Sequence, residues 1–517
     1  MPTVGPPFRS HVEKHLDVLR GHPERVVLVH GKRHVTAGRF HALVHKMAWA
    51  LHGRGIARGQ TVTLLSGNSP ELFAARYAAH LLGCRVTHLY GELSASAQAA
   101  IVRDVETAAL VVDPRLAARA VEVVALVPVD EFLVLGDAKD GRDLLELAEG
   151  QSDEPFASRA RPEDVCTIRY TSGTTGHSKG ICTTFKQAHD DFDQHQLWQL
   201  MGKAGALRQL VCTTLAQSAA VLADGTLRAG GTVVLLDRFD AGEVLAAIER
   251  EHITHFYLLP PLLCQLLDHP DAARADLSSL RLLIYSGGRS SPARVADALH
   301  RFGPVLMQVY GQGEAGAISM LSPADHTSER RDLMRTAGKV LPGVEVEVRD
   351  AQGEPVPVGE PGEICVRSPE VMQGYWKQPE LTAQVLRDGW VRTGDVGRLA
   401  ADGYLTITDR VKDVIALMDG DVYTTELEDL FDSHPQVLES AVFGVRDEDQ
   451  TERVHAVVVL VPGATIGAQG LREMVRREKG VMYEPARIFF AASLVLTETG
   501  KPDKREMRRR FGHVAAG

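Results

Sequence analysis

Tyr170-Thr171-Ser172-Gly173-Thr174-Thr175-Gly176-His177-Ser178-Lys179-Gly180 is the stretch from which the rest of the chain is read. It holds five hydroxyl side chains besides the tyrosine, three glycines and one lysine. The run Val165-Cys166-Thr167-Ile168-Arg169 leads into it and reads as a strand. Glycines let a backbone turn its N–H groups toward an anion, because a positive φ costs them little. Hydroxyls add donors, and lysine adds a compact positive charge. A loop so built suits a polyphosphate. It is not a Walker A loop, which needs glycine directly before the lysine and Ser/Thr directly after it; Ser178 and Gly180 stand there instead.

Outward from this loop the pattern is one of short apolar runs alternating with amphipathic stretches. Val26–Val29, Gln60–Leu65, Cys84–Leu89 and Leu110–Val112 read as strands, with Ala37–His52 and a stretch from Ser69-Pro70 to Ala79 as helices between them. After the loop, Asp190–Met201 reads as a helix. Gln209–Thr213, Thr232–Leu236, His255–Leu259, Leu280–Tyr285 and Val305–Val309 read as strands separated by the helices Leu222–Ala229, Ala241–Glu251 and Pro261–Leu267. Such alternation predicts parallel α/β sheets. Two of the strands end in Ser286-Gly287-Gly288-Arg289-Ser290 and Tyr310-Gly311-Gln312-Gly313-Glu314. Ligands of open α/β sheets bind outside the carboxyl ends of strands, so these two loops and the first are expected to form one site. From Gly343 the chain changes to strand–turn–strand (Val344–Val348, Glu363–Val366, Gly403–Ile407), which predicts a small β subdomain. Around Asp409-Arg410 short βα units return, and the domain boundary is set there: 1–409 and a small α+β domain over 410–517.

Together these features resemble the adenylate-forming superfamily: acyl-CoA synthetases, peptide-synthetase adenylation domains and luciferases. That family's phosphate-loop signature, Tyr-Thr-Ser-Gly-Thr-Thr-Gly-x-Pro-Lys-Gly, differs from residues 170–180 only at Ser178. Tyr310–Glu314 is similar to Tyr-Gly-x-Thr-Glu. Thr393-Gly394-Asp395, Asp409-Arg410-Val411-Lys412-Asp413 and Thr499-Gly500-Lys501 match the later motifs, with Gly374-Tyr375-Trp376 and Val422-Tyr423 as further landmarks. The resemblance, closest to acyl-CoA synthetases, implies an acyl-CoA ligase that turns a hydrophobic carboxylic acid, ATP and coenzyme A into acyl-CoA, AMP and pyrophosphate through an acyl-adenylate.

It also implies roles. Thr171, Ser172, Gly173, Thr174, Thr175 and Lys179 would cradle phosphate. Lys501 would bridge carboxylate and phosphate oxygens, and Glu314 would hold Mg2+ against the developing charge. Tyr310 would stack on adenine within Gly311, Gln312 and Gly313, with Gly287, Gly288 and Arg289 on the other side. Asp395 would accept the ribose hydroxyls, since a carboxylate takes two O–H donors. Arg410 would reach ribose or phosphate. Asp409 would be the hinge about which the C-terminal domain rotates, replacing Lys501 by the Arg410–Glu428 segment for thioester formation. Ala216, Gln217 and Ser218 would border the acyl pocket.

Four departures stand out. Gly313 replaces the family's threonine, Ser178 its proline, Gln217 an aromatic or histidine, and Asp419 a glycine beside Gly420 where pantetheine passes. The first two fall on adenylation and the last on thioester formation; two readings stand, an impaired adenylation half with use of a preformed acyl-adenylate, and a compensated site in which Gln312 or a backbone N–H takes over the threonine's contact. Loading of a carrier protein's pantetheine and a catalytically silent acyl-adenylate binder are the alternative readings. The remaining expectations come from composition. The net charge of −10 and the lack of a basic stripe argue against nucleic acid. The six scattered cysteines, none in a C-x-x-C pair, read as reduced buried thiols of a cytoplasmic protein. No apolar run is long enough to span a membrane. Homodimerisation is left open.

Overall fold

The computed structural model describes residues 8–91, 93–137, 139–171, 179–188, 207–216, 218–327, 329–330, 332–417, 420–446, 452–497 and 502–512. The fold is mixed α/β, with a large N-terminal domain of mostly parallel sheets and a smaller C-terminal domain. By packing the chain divides into two units. The first comprises Met1–Leu258, Asp268–Ile284 and Pro369–Leu386; the second comprises Leu259–Leu267, Tyr285–Ser368 and Arg387–Gly517. The segment after Asp409 thus packs in one unit with the strands that precede it.

In the first unit, Val26–His30, Thr232–Leu235, Arg208–Val211 and His255–Leu258 run parallel, with Arg33–Thr36 antiparallel at the edge. A second sheet has Thr61–Leu65 and Thr107–Val112 at its centre, every residue of both strands buried. Burial on both faces is why these strands read as unbroken apolar runs rather than alternating ones. The helices follow the sequence pattern closely: Ala37–Gly53, Pro70–Leu81 and Ala241–Glu251. Ser69 caps the second of these by accepting from the Leu72 N–H, with Pro70 at the first helical position. The helix expected over 190–201 lies outside the described residues.

One strand has no counterpart in the sequence pattern. Val165–Thr171 is followed by an antiparallel partner, Lys179–Thr184, with Tyr170 opposite Gly180 and Thr171 opposite Lys179. Residues 172–178 lie between these two strands in sequence and outside the described residues. Gly180 is required by space: a Cβ there would meet Ile168 Cγ2 at 2.8 Å and Trp376 Cβ at 3.2 Å. Gly374–Tyr375 adds a third strand to this hairpin, pairing with Cys182 and Ile181. Trp376 and Lys377 then donate to the Asp104 carbonyl at 3.0 and 2.7 Å. The Tyr170 hydroxyl donates to the carboxylate of the same residue.

The second unit holds the β subdomain. Glu345–Arg349, Gly362–Arg367, Trp390–Leu399 and Leu405–Arg410 form an antiparallel sheet in that order. Leu306–Gln312 turns back into Gly316–Leu321, three residues beyond the strand end predicted at Val309. Gly311 allows that turn, because a Cβ would come within 2.4 Å of the Gly316 carbonyl oxygen. In the C-terminal part, Val437–Arg446, Glu452–Leu460 and Arg487–Phe490 form a three-stranded sheet. Its core is built from Ile415, Leu427, Phe431, Val442, Val458 and Val475. All six cysteines are free; Cys264 is half-buried and the others are buried. Among the described residues no helix is long and apolar enough to cross a membrane.

Candidate active site

The centre of the site is a carboxylate. Asp395 lies on Trp390–Leu399 directly opposite Arg410 of Leu405–Arg410, and that register sets the Arg410 Nε 2.5 Å from Asp395 Oδ1. The other oxygen, Oδ2, accepts from the Tyr310 hydroxyl at 2.6 Å and from Gln312 Nε2 at 2.7 Å. Gln312 Nε2 also reaches the Thr393 carbonyl at 3.0 Å. Three motifs that are far apart in sequence thus meet on one side chain that is only 3% exposed. A buried carboxylate is tolerated when cations and strong donors satisfy it, and here both are present.

The backbone presents these groups for identifiable reasons. Gly394 has φ +68°, in the left-handed region open to glycine, so the strand kinks just before Asp395. The Thr393 hydroxyl donates to the Ile364 carbonyl at 2.7 Å and accepts from the Asp395 N–H at 3.1 Å, which fixes the kink. Tyr310 and Gln312 share a face of Leu306–Gln312 by the two-residue period of a strand. Burial, and then the negative charge of Asp395, hold the Tyr310 phenol well above its ordinary pKa, so it donates.

Asp409 is buried at 3% exposure, one residue from Arg410. Its carboxylate accepts from the Arg410 N–H at 2.7 Å and from the Thr424 N–H and hydroxyl, at the start of the helix Thr424–Asp432. Burial raises its pKa, with the Lys504 charge opposing. Arg289 also meets this helix: Nη1 lies 3.2 Å from Glu428 Oε2, and Nη2 pairs with Asp429. Gly287, with φ +86°, turns the chain just ahead of it. Sequence reading put Arg289 beside adenine. Its guanidinium is here engaged by two carboxylates, 139 residues away in the case of Glu428, and no local signal could reveal that.

In the first unit, Lys179 Nζ lies over the Tyr375 ring at 5.2 Å. Ser218 begins the helix Ser218–Arg228 and hydrogen-bonds Tyr257, whose phenol burial pushes up to about 12. Ala216 sits in the preceding turn, which the buried Asn68 ties down through its neighbours. Asn68 is 3% exposed; its amide donates to the Thr213 and Leu236 carbonyls at 3.0 and 2.8 Å, and its Oδ1 accepts from the Leu215 N–H at 3.2 Å. A polar residue next to a helix cap carried the only hint. Ser172–Ser178, Gln217, Asp419 and Lys501 lie outside the described residues, and so do the contacts they would make.

Residues 16–376 match the model of the AMP-binding enzyme family, and residues 426–501 match that of the AMP-binding enzyme C-terminal domain. The chain belongs to the AMP-binding enzyme family. This is the adenylate-forming superfamily that the motifs resemble, and membership makes the chain an enzyme of the AMP-forming acid–thiol ligase class. It is similar to a medium/long-chain-fatty-acid–CoA ligase, FadD8, of Mycobacterium tuberculosis, with 35% identity over 95% of this chain and 88% of that one. A feruloyl-CoA synthase from an Amycolatopsis species shares 33% identity over 95% and 96% of the two chains. Among solved structures, the amide bond synthetase McbA of Marinactinospora thermotolerans aligns with a TM-score of 0.90 and 39% identity, over 97% of this chain and all of that one.

Among the described residues no group of three or more His, Cys, Asp and Glu side chains could hold a metal ion.

Proposed function

We propose that the protein activates a hydrophobic carboxylic acid with ATP and passes the acyl group to the thiol of coenzyme A. In the first step a carboxylate oxygen attacks the α-phosphorus and pyrophosphate leaves with the bond it breaks. In the second the thiolate attacks the acyl carbonyl, and AMP departs with its phosphate oxygen. Asp395 receives the ribose hydroxyls, and Tyr310 lies against adenine with its hydroxyl anchored on Asp395. Lys501 would neutralise charge between carboxylate and phosphate, Glu314 would hold magnesium, and Ala216, Gln217 and Ser218 would border the acyl group. The C-terminal domain, residues 410–517, turns about Asp409 between the steps.

The observation that carries this reading is the Asp395 site. A buried carboxylate pre-oriented by Tyr310, Gln312 and Arg410 is an acceptor organised before any ligand arrives, which lowers the cost of binding. The same geometry bears on the missing threonine at 313. Gln312 could substitute for that hydroxyl only by leaving Asp395 and the Thr393 carbonyl. This supports adenylation being the weaker half-reaction.

One observation favours a second acceptor. The 39% identity to an amide bond synthetase exceeds that to the CoA ligases above, and an amine can attack the same acyl-adenylate. The test is to supply synthetic acyl-adenylates of aryl and medium-chain acids with coenzyme A, a pantetheinyl carrier protein or a primary amine. Thioester formation with coenzyme A at least tenfold faster than amide or carrier loading is expected. Amide as the dominant product would transfer the assignment to amide synthesis, and no turnover with any acceptor would defeat both.

A further inference from the structure

We propose that Arg289 is a positioning residue that clamps the helix Thr424–Asp432 beside the Asp395 site, so that one of the two half-reactions depends on an ionic contact rather than on nucleotide lining by this arginine. The proposal rests on the two-step reading above. Neighbouring carboxylates, Glu428 and Asp429, face the two arms of one guanidinium. A planar fork can hold two acceptors at once where an ammonium cannot. Glu428 is no ordinary surface partner. Its side chain is 9% exposed, its Oε1 accepts from the Val442 N–H at 2.9 Å, and Lys504 Nζ lies 2.8 Å from the same oxygen. Lys504 in turn donates to the Thr424 hydroxyl at 2.6 Å.

Besides these contacts with Val442 and Lys504, the helix is held at Asp409 and at Arg289. Asp409 holds its first N–H group, one residue from the Arg410 that sits on Asp395. Arg289 holds its middle. The Arg289 contact is charged and 32% exposed at the arginine, unlike the apolar packing of Leu427 and Phe431 into the C-terminal core. A contact of this kind can be made and broken without exposing apolar surface, which suits a fastening that must release. The helix on which Arg289 closes spans part of the segment proposed to turn about Asp409.

Three substitutions test this: Arg289→Ala, Glu428→Gln and Asp429→Asn. The last alters the more exposed partner, 26% accessible, so folding is not at stake. Adenylation by pyrophosphate exchange and acyl transfer from supplied acyl-adenylate are measured separately, together with AMP affinity and hydrogen exchange of residues 424–432. Arg289→Ala is expected to slow one half-reaction about five- to thirtyfold and the other less than about twofold, the range for a partly buried pair. Glu428→Gln and Asp429→Asn should slow that same half-reaction with AMP affinity within about twofold of wild type. The double variant Arg289→Ala with Glu428→Gln should slow the step by less than the product of the two single effects, because the contact they share is lost only once. Arg289→Lys should fall between. Rising salt should slow the clamped step in the wild type and not in Arg289→Ala. Amide exchange in the helix should rise in all three. The proposal is overturned if Arg289→Ala weakens AMP binding tenfold while the two carboxylate variants leave both half-reactions unchanged, or if exchange in the helix does not respond. If the wild type turns over no acid, the functional reading fails, and exchange alone still decides the clamp.

Discussion

Replacing Asp395 by asparagine separates a binding carboxylate from a strand-to-strand tie. The substitution keeps the shape and removes the charge. Asparagine Oδ1 can still accept from the Tyr310 hydroxyl and Gln312 Nε2, which now lie 2.6 and 2.7 Å from Asp395 Oδ2. The NH2 group then faces Arg410, whose Nε is 2.5 Å from Oδ1, and two donors oppose each other. Arg410 has a side chain 48% exposed and can turn to water, so the fold loses only about 1–2 kcal/mol. A bound ribose has no such escape. It loses a charge-assisted hydrogen bond in a buried site, worth about 1.5–3 kcal/mol, or roughly ten- to a hundredfold in affinity. Titration calorimetry with AMP should therefore show a large loss where urea unfolding shows a small one. Tyr310→Phe, which removes only the anchoring hydroxyl, should weaken AMP about three- to tenfold. If Asp395→Asn binds AMP within twofold of wild type while its unfolding midpoint drops, Asp395 is a structural tie and the nucleotide is held elsewhere.

Lys501→Ala should abolish pyrophosphate exchange yet leave acyl transfer from a supplied adenylate largely intact; equal loss of both would detach Lys501 from the first step. Gly313→Thr should raise pyrophosphate release about tenfold by restoring one hydrogen bond to the phosphate, and ordinary adenylation by the wild type with its own acid would contradict an impaired first half. Acidification should destabilise the fold through buried histidines. Burial holds His15 and His255 down to about 3 and His45 to about 4, so they stay neutral in the fold. The unfolded chain takes up these protons below its ordinary histidine value of about 6.5, so stability is complete above that pH and falls between about 6 and 4. Each such ring contributes at most about 1.4 kcal/mol per pH unit, and together they steepen the loss of stability in acid. Denaturant unfolding at a series of pH values checks the slope, and a flat profile would mean that these rings are solvated.

Local patterns were legible wherever burial and periodicity coincide. The fully buried strands Thr61–Leu65 and Thr107–Val112, and the helix Ala241–Glu251, follow directly from apolar spacing. Lys179–Thr184 escaped because its polar first residues look like the end of a loop, and its partner strand precedes that loop. Motif residues such as Asp395, Tyr310 and Arg410 were identifiable, but not their mutual hydrogen bonds, which depend on register between strands. Buried polar networks were invisible altogether. Asp224 is held by both arms of Arg76 and by the Tyr77 hydroxyl at 2.8 Å, and Tyr77 meets His15 Nδ1 at 3.0 Å; these partners come from three separate helices. Single residues of these types ordinarily signal surface, and only tertiary pairing reverses that.

The anchoring of Trp376 to Asp104 also has a consequence for how the protein is made. The indole N–H and the Asp104 carbonyl are 272 residues apart, and Gly374–Tyr375 supplies the outer strand against Lys179–Thr184. During synthesis at about 5–20 residues per second, the hairpin emerges roughly ten seconds or more before its third strand leaves the ribosome. For that interval its outer edge is unpaired, and open strand edges invite pairing with other chains. A nascent or truncated chain ending before residue 369 would leave Lys179–Thr184 as an uncovered edge. Such a product should aggregate or recruit chaperones even though most of the parallel sheet has already been synthesised.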